Sequence, residues 1–398
     1  MNCHILIHRA FLSAVLTAIP VAAAVSYAED PKPTQEERLK KLLERFPQAD
    51  TNGDGVLSPE EAKAFRAQQP KKPAKGKPAA KTADKTADNS AEGAAKGPQP
   101  TFENVSYGPH ERNVLDVWQA KSDKPTPIIV FIHGGGFVNG DKNKIRGNAS
   151  IQKALDQGIS FASISYRYRT QAPVQDILRD SARAIQFIRS KAKEWNIDAT
   201  KVAAYGGSAG AGTSLWLAFH DDLANPKSDD PVLRESSRLT AVGALNTQAS
   251  YDLRDWEQIV GKSPVDRSEL EGLMFYGFKS KEDYDKPESD AIMKDLSMLN
   301  LISEGDAPVA LFTSQPNTEP KDRGHYVHHP KHAIAIAERA KEKGIDTLLI
   351  LQDDASKSKP GEGQVVDFLI KKLKGESSPP ASPDDAKAPK DAKASASK

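Results

Sequence analysis

The order of apolar and polar positions divides the chain into a strongly patterned central part and two polar flanks. Short apolar runs at 113–118, 127–132, 160–165, 201–205, 240–245, 309–313 and 347–351 predict strands. Between them, 150–157, 174–195, 208–220, 331–343 and 364–374 carry helical patterns. Strand and helix in alternation imply an α/β fold, a mainly parallel sheet flanked by helices on both faces, over 99–375. A domain of that length buries roughly three quarters of its unfolded surface, so it needs no disulfide to fold. Two intervals, 221–237 and 257–301, are longer than ordinary connections and predict a lid over the sheet's site. No internal repeat is visible.

The flanks follow other rules. Arg9 precedes an apolar run over 10–25, and Ser26-Tyr27-Ala28 places small residues where a cleavage site needs them. This predicts a secretory signal peptide over 1–28, cut before Glu29, and hence a periplasmic or secreted protein. No later run is apolar for long enough to span a bilayer, so no stable membrane span is expected after cleavage. A small helical unit is predicted at 34–69. The linker 70–98 and the tail 376–398 are rich in Lys, Ala and Pro, and too poor in large apolar residues to offset the entropy of ordering. Both are expected to be disordered.

Composition narrows the chemistry. Cys3, the one cysteine, lies inside the signal, so cysteine nucleophiles and disulfides are excluded from the mature protein. The 55 basic and 54 acidic residues nearly cancel, which gives no support for nucleic acid as a partner.

Within the helical unit, Asp50-Thr51-Asn52-Gly53-Asp54-Gly55-Val56-Leu57-Ser58-Pro59-Glu60-Glu61 matches a twelve-residue EF-hand loop. Calcium takes six to eight hard oxygens on a tight arc. Asp50, Asn52 and Asp54 would supply side-chain oxygens and Val56 its carbonyl. Ser58 would act directly or through water, and Glu61 would close the site with both oxygens. Gly55 permits the sharp turn, and Leu57 is expected to pack inward. A single hand of this kind suits a weak extracellular site with a structural or docking role.

Two glycine-rich motifs carry the catalytic expectation. Gly206-Gly207-Ser208-Ala209-Gly210 follows the apolar run 201–205 and opens a helix, the strand–turn–helix context of a nucleophile elbow. Upstream, His133-Gly134-Gly135-Gly136-Phe137 follows the run 127–132, as an oxyanion-hole loop would. With these motifs, and with Val114-Leu115-Asp116-Val117-Trp118, Gly140-Asp141-Lys142 and Ser165-Tyr166-Arg167, the region 105–373 resembles the α/β-hydrolase superfamily. It is most similar to carboxylesterases of the hormone-sensitive-lipase and feruloyl-esterase-like groups.

The resemblance implies that Ser208 attacks an ester carbonyl, forms an acyl-enzyme and releases it by hydrolysis. It assigns the oxyanion to the N–H of Ala209 and to N–H groups around Gly135 and Gly136, and gives His133 a structural role. Short acyl esters or polysaccharide-linked esters are the substrates it implies. The chain departs from the pattern in its triad. Asn317 stands near the place of the expected acid, and no histidine follows the eighth strand.

A serine hydroxyl needs a base, and the histidines limit the choice. His220 lies far along the helix after Ser208. His325, His328, His329 and His332 cluster after the seventh strand, on the side of the sheet where Ser208 emerges. His328 or His329 is the expected base, with His329 slightly favoured because Pro330 holds it extended. Asp252, Asp353 or Asp354 would orient it. The rival expectation is a catalytically degenerate hydrolase that serves as a calcium-linked binding module.

Overall fold

The computed structural model describes residues 56–58, 61, 97–264, 269–351 and 361–376. The chain divides into two compact units, Met1–Thr86 and Ala87–Lys398. In the first, Leu57 is buried while the Val56 side chain is exposed. The expected calcium ligands Asp50, Asn52 and Asp54, the predicted signal peptide, most of the predicted helical unit and nearly all of the predicted linker and tail lie outside the described residues.

The second unit is built on an eight-stranded sheet of order β1-β2-β4-β3-β5-β6-β7-β8. The strands are β1 Phe102–Ser106, β2 Val114–Trp118, β3 Thr126–Ile132, β4 Ser160–Ile164, β5 Ile197–Gly207, β6 Ala241–Leu245, β7 Val309–Thr313 and β8 Thr347–Leu351. Only the β1/β2 and β2/β4 pairings are antiparallel. The helices that cover the sheet are α1 Ala149–Asp156, α2 Val174–Ser190, α3 Ala209–Phe219, α9 Pro330–Glu342 and α10 Glu362–Leu373. Four shorter ones precede α9 and α10 in the chain: α4 Asp255–Val260, α5 Glu269–Tyr276, α6 Pro287–Asp295 and α7 Met298–Leu301. A fifth, α8 Arg323–Val327, leads directly into α9.

The alternation of side chains along the central strands explains the two layers. Ile128, Val130 and Ile132 of β3 pack with Ile177 of α2, Leu215 of α3 and Ile336 of α9. Ile129 and Phe131 point the other way, into a cluster with Ile151 of α1 and Val365 and Leu369 of α10. Strands buried on both faces read as continuous apolar runs, and these are the runs the sequence shows.

Register sets the position of the site. Ile132 pairs with both Ile164 and Gly206, Gly207 with Leu245, Leu245 with Phe312, and Thr313 with Leu351. The loops after β3, β5, β6 and β7 therefore leave the sheet along one carboxyl edge, where open α/β sheets carry their sites.

One sequence expectation is corrected by this geometry. The interval 221–237, read as part of a lid, does not lie at that edge. Helix α3 begins at the elbow and runs about 16 Å back along the sheet, so the chain leaves it at the opposite edge. There Arg183 pairs with Asp230 at 2.6 Å, and Arg189 donates to the Ala199, Ser236 and Arg238 carbonyls. The other interval, 257–301, does reach the site, and it is largely helical. Among the described residues, no helix is long and apolar enough to cross a membrane.

Candidate active site

Ser208 occupies the turn between β5 and α3 with φ 53° and ψ −117°. A non-glycine residue there is strained, and the neighbouring contacts hold it. Its N–H donates to the Leu245 carbonyl at 2.9 Å and its carbonyl accepts from Gly212 N–H at 3.0 Å. Strand β6 and the first turn of α3 thus fix the backbone and leave the side chain directed into the cavity.

Oγ lies 2.8 Å from His328 Nε2. The other ring nitrogen, Nδ1, lies 3.1 Å from the Gly324 carbonyl oxygen. A carbonyl can only accept, so Nδ1 carries the proton and Nε2 presents its lone pair to the serine hydroxyl. Burial holds the His328 imidazole below its ordinary pKa, the nearby Arg323 charge lowers it further, and the Gly324 carbonyl pulls the other way. The ring is therefore neutral at pH 7, as a proton acceptor must be.

A short helix aims this histidine. Asp322 caps α8, its Oδ1 accepting from His325 N–H at 2.8 Å. His328 closes the same helix at its C-terminal cap, and its N–H also donates to Gly324 O at 3.1 Å.

His329, the residue favoured on the sequence, is placed elsewhere. It caps α9: its Nδ1 accepts from Lys331 N–H at 3.2 Å, which leaves Nε2 to donate to the Thr318 carbonyl at 2.8 Å. Both nitrogens are spent on the scaffold. Pro330 does hold the residue extended, but that conformation suits it to cap the following helix rather than to face the cleft. The sequence contained the signal. Asp322 ahead of one turn and His329-Pro330 ahead of the next mark two helix starts, with His328 at the joint.

The remaining candidates are spread around the site. His325 stacks on His329 with ring centroids 5.2 Å apart, and its Nε2 lies 2.8 Å from the Pro316 carbonyl. His220 pairs with Asp295 at 3.0 Å beyond the far end of α3. Asp252 is engaged by Arg254, which reaches both carboxylate oxygens from one guanidinium. Asp353 and Asp354 lie outside the described residues, and Asn317 is exposed on its loop.

Gly135, Gly136 and Ala209 line one cavity of about 380 Å³ together with Ser208 and His328. Gly135 has φ +123°, and a Cβ there would collide with the Asn139 carbonyl, so the loop can close as it does only with glycine. His133 supports the loop from behind. Its ring is wholly buried against Tyr166 at 4.1 Å, and Nδ1 lies 2.8 Å from the Gly134 carbonyl. Burial depresses its pKa to about 4, so it is neutral and structural. Arg112 donates to the Tyr166 and Gly140 carbonyls at 2.8 and 2.9 Å, and Tyr168 also donates to Gly140 O. The buried ion pair of Lys142 with Asp116, at 2.7 Å, ties the end of the loop to β2.

In the segment expected to bind calcium, Glu61 and Ser58 form a reciprocal capping box. Ser58 Oγ and N–H donate to Glu61 Oε2 at 2.8 and 3.1 Å, and Glu61 N–H donates to Ser58 Oγ at 3.2 Å. Two expected ligands therefore stand side by side at a helix start, with Leu57 buried beside them. These residues fit the final third of an EF-hand loop.

A serine on a strained turn after the central strand, with a glycine-rich loop beside it at the carboxyl edge, defines an α/β-hydrolase. The chain belongs to the BD-FAE family, whose profile matches residues 115–318. It is 30% identical over 153 residues to "Esterase LipC" of Mycobacterium tuberculosis, covering 38% of this chain and 37% of that one. It is 28% identical over 144 residues to "Probable isoprenylcysteine alpha-carbonyl methylesterase ICMEL1" of Arabidopsis thaliana, covering 36% and 30%. The matched region spans only about a third of the length of these relatives. Among solved structures, a truncated carbohydrate esterase from gut microbiota superposes with TM-score 0.52 at 18% identity, over 71% of this chain and 99% of that one.

Proposed function

We propose that the protein is an exported serine esterase that cleaves short acyl or carbohydrate-linked carboxylic esters, with a calcium-binding EF-hand ahead of the catalytic unit. The observation that carries the catalytic reading is the 2.8 Å approach of His328 Nε2 to Ser208 Oγ beside the Gly135–Gly136 loop. The esterase names of the relatives support the same chemistry.

In the proposed reaction, Nε2 takes the hydroxyl proton as Oγ bonds to the ester carbon. The N–H groups of Ala209 and of the glycine loop hold the resulting oxyanion. Nε2 then returns the proton to the alcohol oxygen as the carbon–oxygen bond breaks. Water, activated by the same nitrogen, releases the acid from Ser208. A fluorophosphonate probe should label the purified protein at Ser208 and nowhere else. Failure to label it removes the proposal.

The second reading, a degenerate hydrolase acting as a binding module, is favoured by one observation. Nδ1 of His328 meets a backbone carbonyl where a triad places a carboxylate. An uncharged acceptor fixes the tautomer but stabilises the imidazolium less. Steady turnover of a nitrophenyl ester by wild type would exclude this reading.

The calcium proposal rests on the loop sequence and on the Ser58–Glu61 geometry. Titration of the full chain with calcium by calorimetry should show one site, lost in Glu61→Gln, while nitrophenyl ester turnover stays the same. Unchanged calcium binding in Glu61→Gln would show that the loop is not the site.

A further inference from the structure

The cavity has two walls of different origin, and the chemistry of ester cleavage gives them different tasks. The tetrahedral carbon carries four groups: Ser208 Oγ, the oxyanion, the alcohol oxygen and the acyl carbon. Nε2 of His328 takes the Oγ proton and must deliver it to the alcohol oxygen, so the alcohol has to lie on the His328 side. On the esterase reading the oxyanion goes to the N–H groups of Gly135, Gly136 and Ala209, which line the cavity. The acyl chain takes the remaining direction, away from His328.

The wall on the His328 side is carried by the helix that aims the base. Tyr326 of α8 lines it, and Trp256 lies against Tyr326 with ring centroids 5.9 Å apart. Gln248 joins the same wall, its Nε2 donating to the Val327 carbonyl at 3.0 Å. A second wall, in a separate hydrophobic cluster, grows out of the glycine-rich loop. Phe137 follows Gly136 directly and packs on Tyr251 at 5.4 Å and on Phe275 at 6.1 Å. Tyr251 turns its hydroxyl away, donating to the Ala209 carbonyl at 2.8 Å, so it offers the cavity its ring.

Building on the esterase reading above, we infer that Phe275, with Phe137 and Tyr251, sets which acyl group is accepted, and that Trp256, with Tyr326, sets which alcohol is accepted. The acyl wall is aromatic and apolar. It takes an apolar acyl chain whose length Phe275 limits. The alcohol wall sets an aromatic face beside the amide of Gln248 and takes a larger, partly polar alcohol by stacking.

The test uses ratios measured within one enzyme, so a lowered folded fraction in a variant cancels. With nitrophenol as the fixed alcohol, kcat/KM for octanoate over acetate should rise about tenfold or more in Phe275→Ala and stay constant in Trp256→Ala. With acetate as the fixed acyl group, kcat/KM for 2-naphthyl over ethyl ester should fall about tenfold in Trp256→Ala and stay constant in Phe275→Ala. Phe275→Leu and Trp256→Phe should move the same ratios in the same directions by less. An active wild type whose ratios move in the wrong variant, or in neither, overturns the assignment alone. A wild type inert towards all of these esters overturns the esterase reading and the assignment together.

Discussion

Alanine at Ser208 or at His328 should lower kcat for ester hydrolysis by at least about 100- to 10,000-fold, whereas alanine at His329 should leave the chemistry nearly intact. Ser208 and His328 are one unit, joined at 2.8 Å, so the double variant should be little worse than either single one. His329 directs its nitrogens to Thr318 O and Lys331 N–H instead. Its loss removes a helix cap, so His329→Ala should be destabilised by roughly 0.5–2 kcal/mol with kcat preserved. The pH profile is a second check. Only the neutral His328 ring accepts the serine proton, and burial holds its pKa below the ordinary value. The acid limb of kcat/KM should therefore fall below about pH 6.5 and disappear with His328. Full activity in His328→Ala would exclude this histidine as the base.

The sheet was legible in the sequence because its central strands are buried on both faces and appear as unbroken apolar runs. The elbow was legible because glycine is required on either side of a strained serine. What escaped has physical reasons. Strand β1, Phe-Glu-Asn-Val-Ser, is an edge strand with mostly exposed positions, so no apolar run marks it. The extension of β5 back to Ile197 passes through Asp198 and Thr200, which are polar because that end is not covered. The helices within 257–301 are too short to establish a 3.6-residue period.

The choice between His328 and His329 was harder still, since a one-residue difference reverses direction in an extended chain. The side chain that faces Ser208 is set by where α8 ends, and five residues give periodicity no purchase. Helix caps carry that information, at Asp322 and at His329 itself. The orientation of His328 by a backbone carbonyl could not be read from residue types at all, because every residue has one.

A methyl group added at Gly210 should inactivate the enzyme and destabilise the fold together. Strands β3 and β5 run side by side, with Ile132 paired to Gly206, so the first turn of α3 crosses directly over the end of β3. A Cβ at Gly210 would fall well inside van der Waals distance of the Ile132 carbonyl oxygen, and 2.8 Å from that of His133. All of these neighbours are backbone atoms of β3 and of the glycine-rich loop after it, where the oxyanion hole is proposed, so no side-chain rotation relieves the clash. Overpacking of this kind typically costs about 1–3 kcal/mol, which in a domain of this size lowers Tm by roughly 2–10 °C. The same displacement moves Ala209 relative to Gly135 and Gly136, so kcat should fall about 100-fold or more even in the fraction that folds. Gly363→Ala is the control, because a Cβ on α10 at that position meets nothing within 4 Å. Thermal melts and nitrophenyl ester kinetics on the two variants decide the matter. A Gly210→Ala protein with wild-type Tm and kcat would mean that α3 does not press on β3 as described.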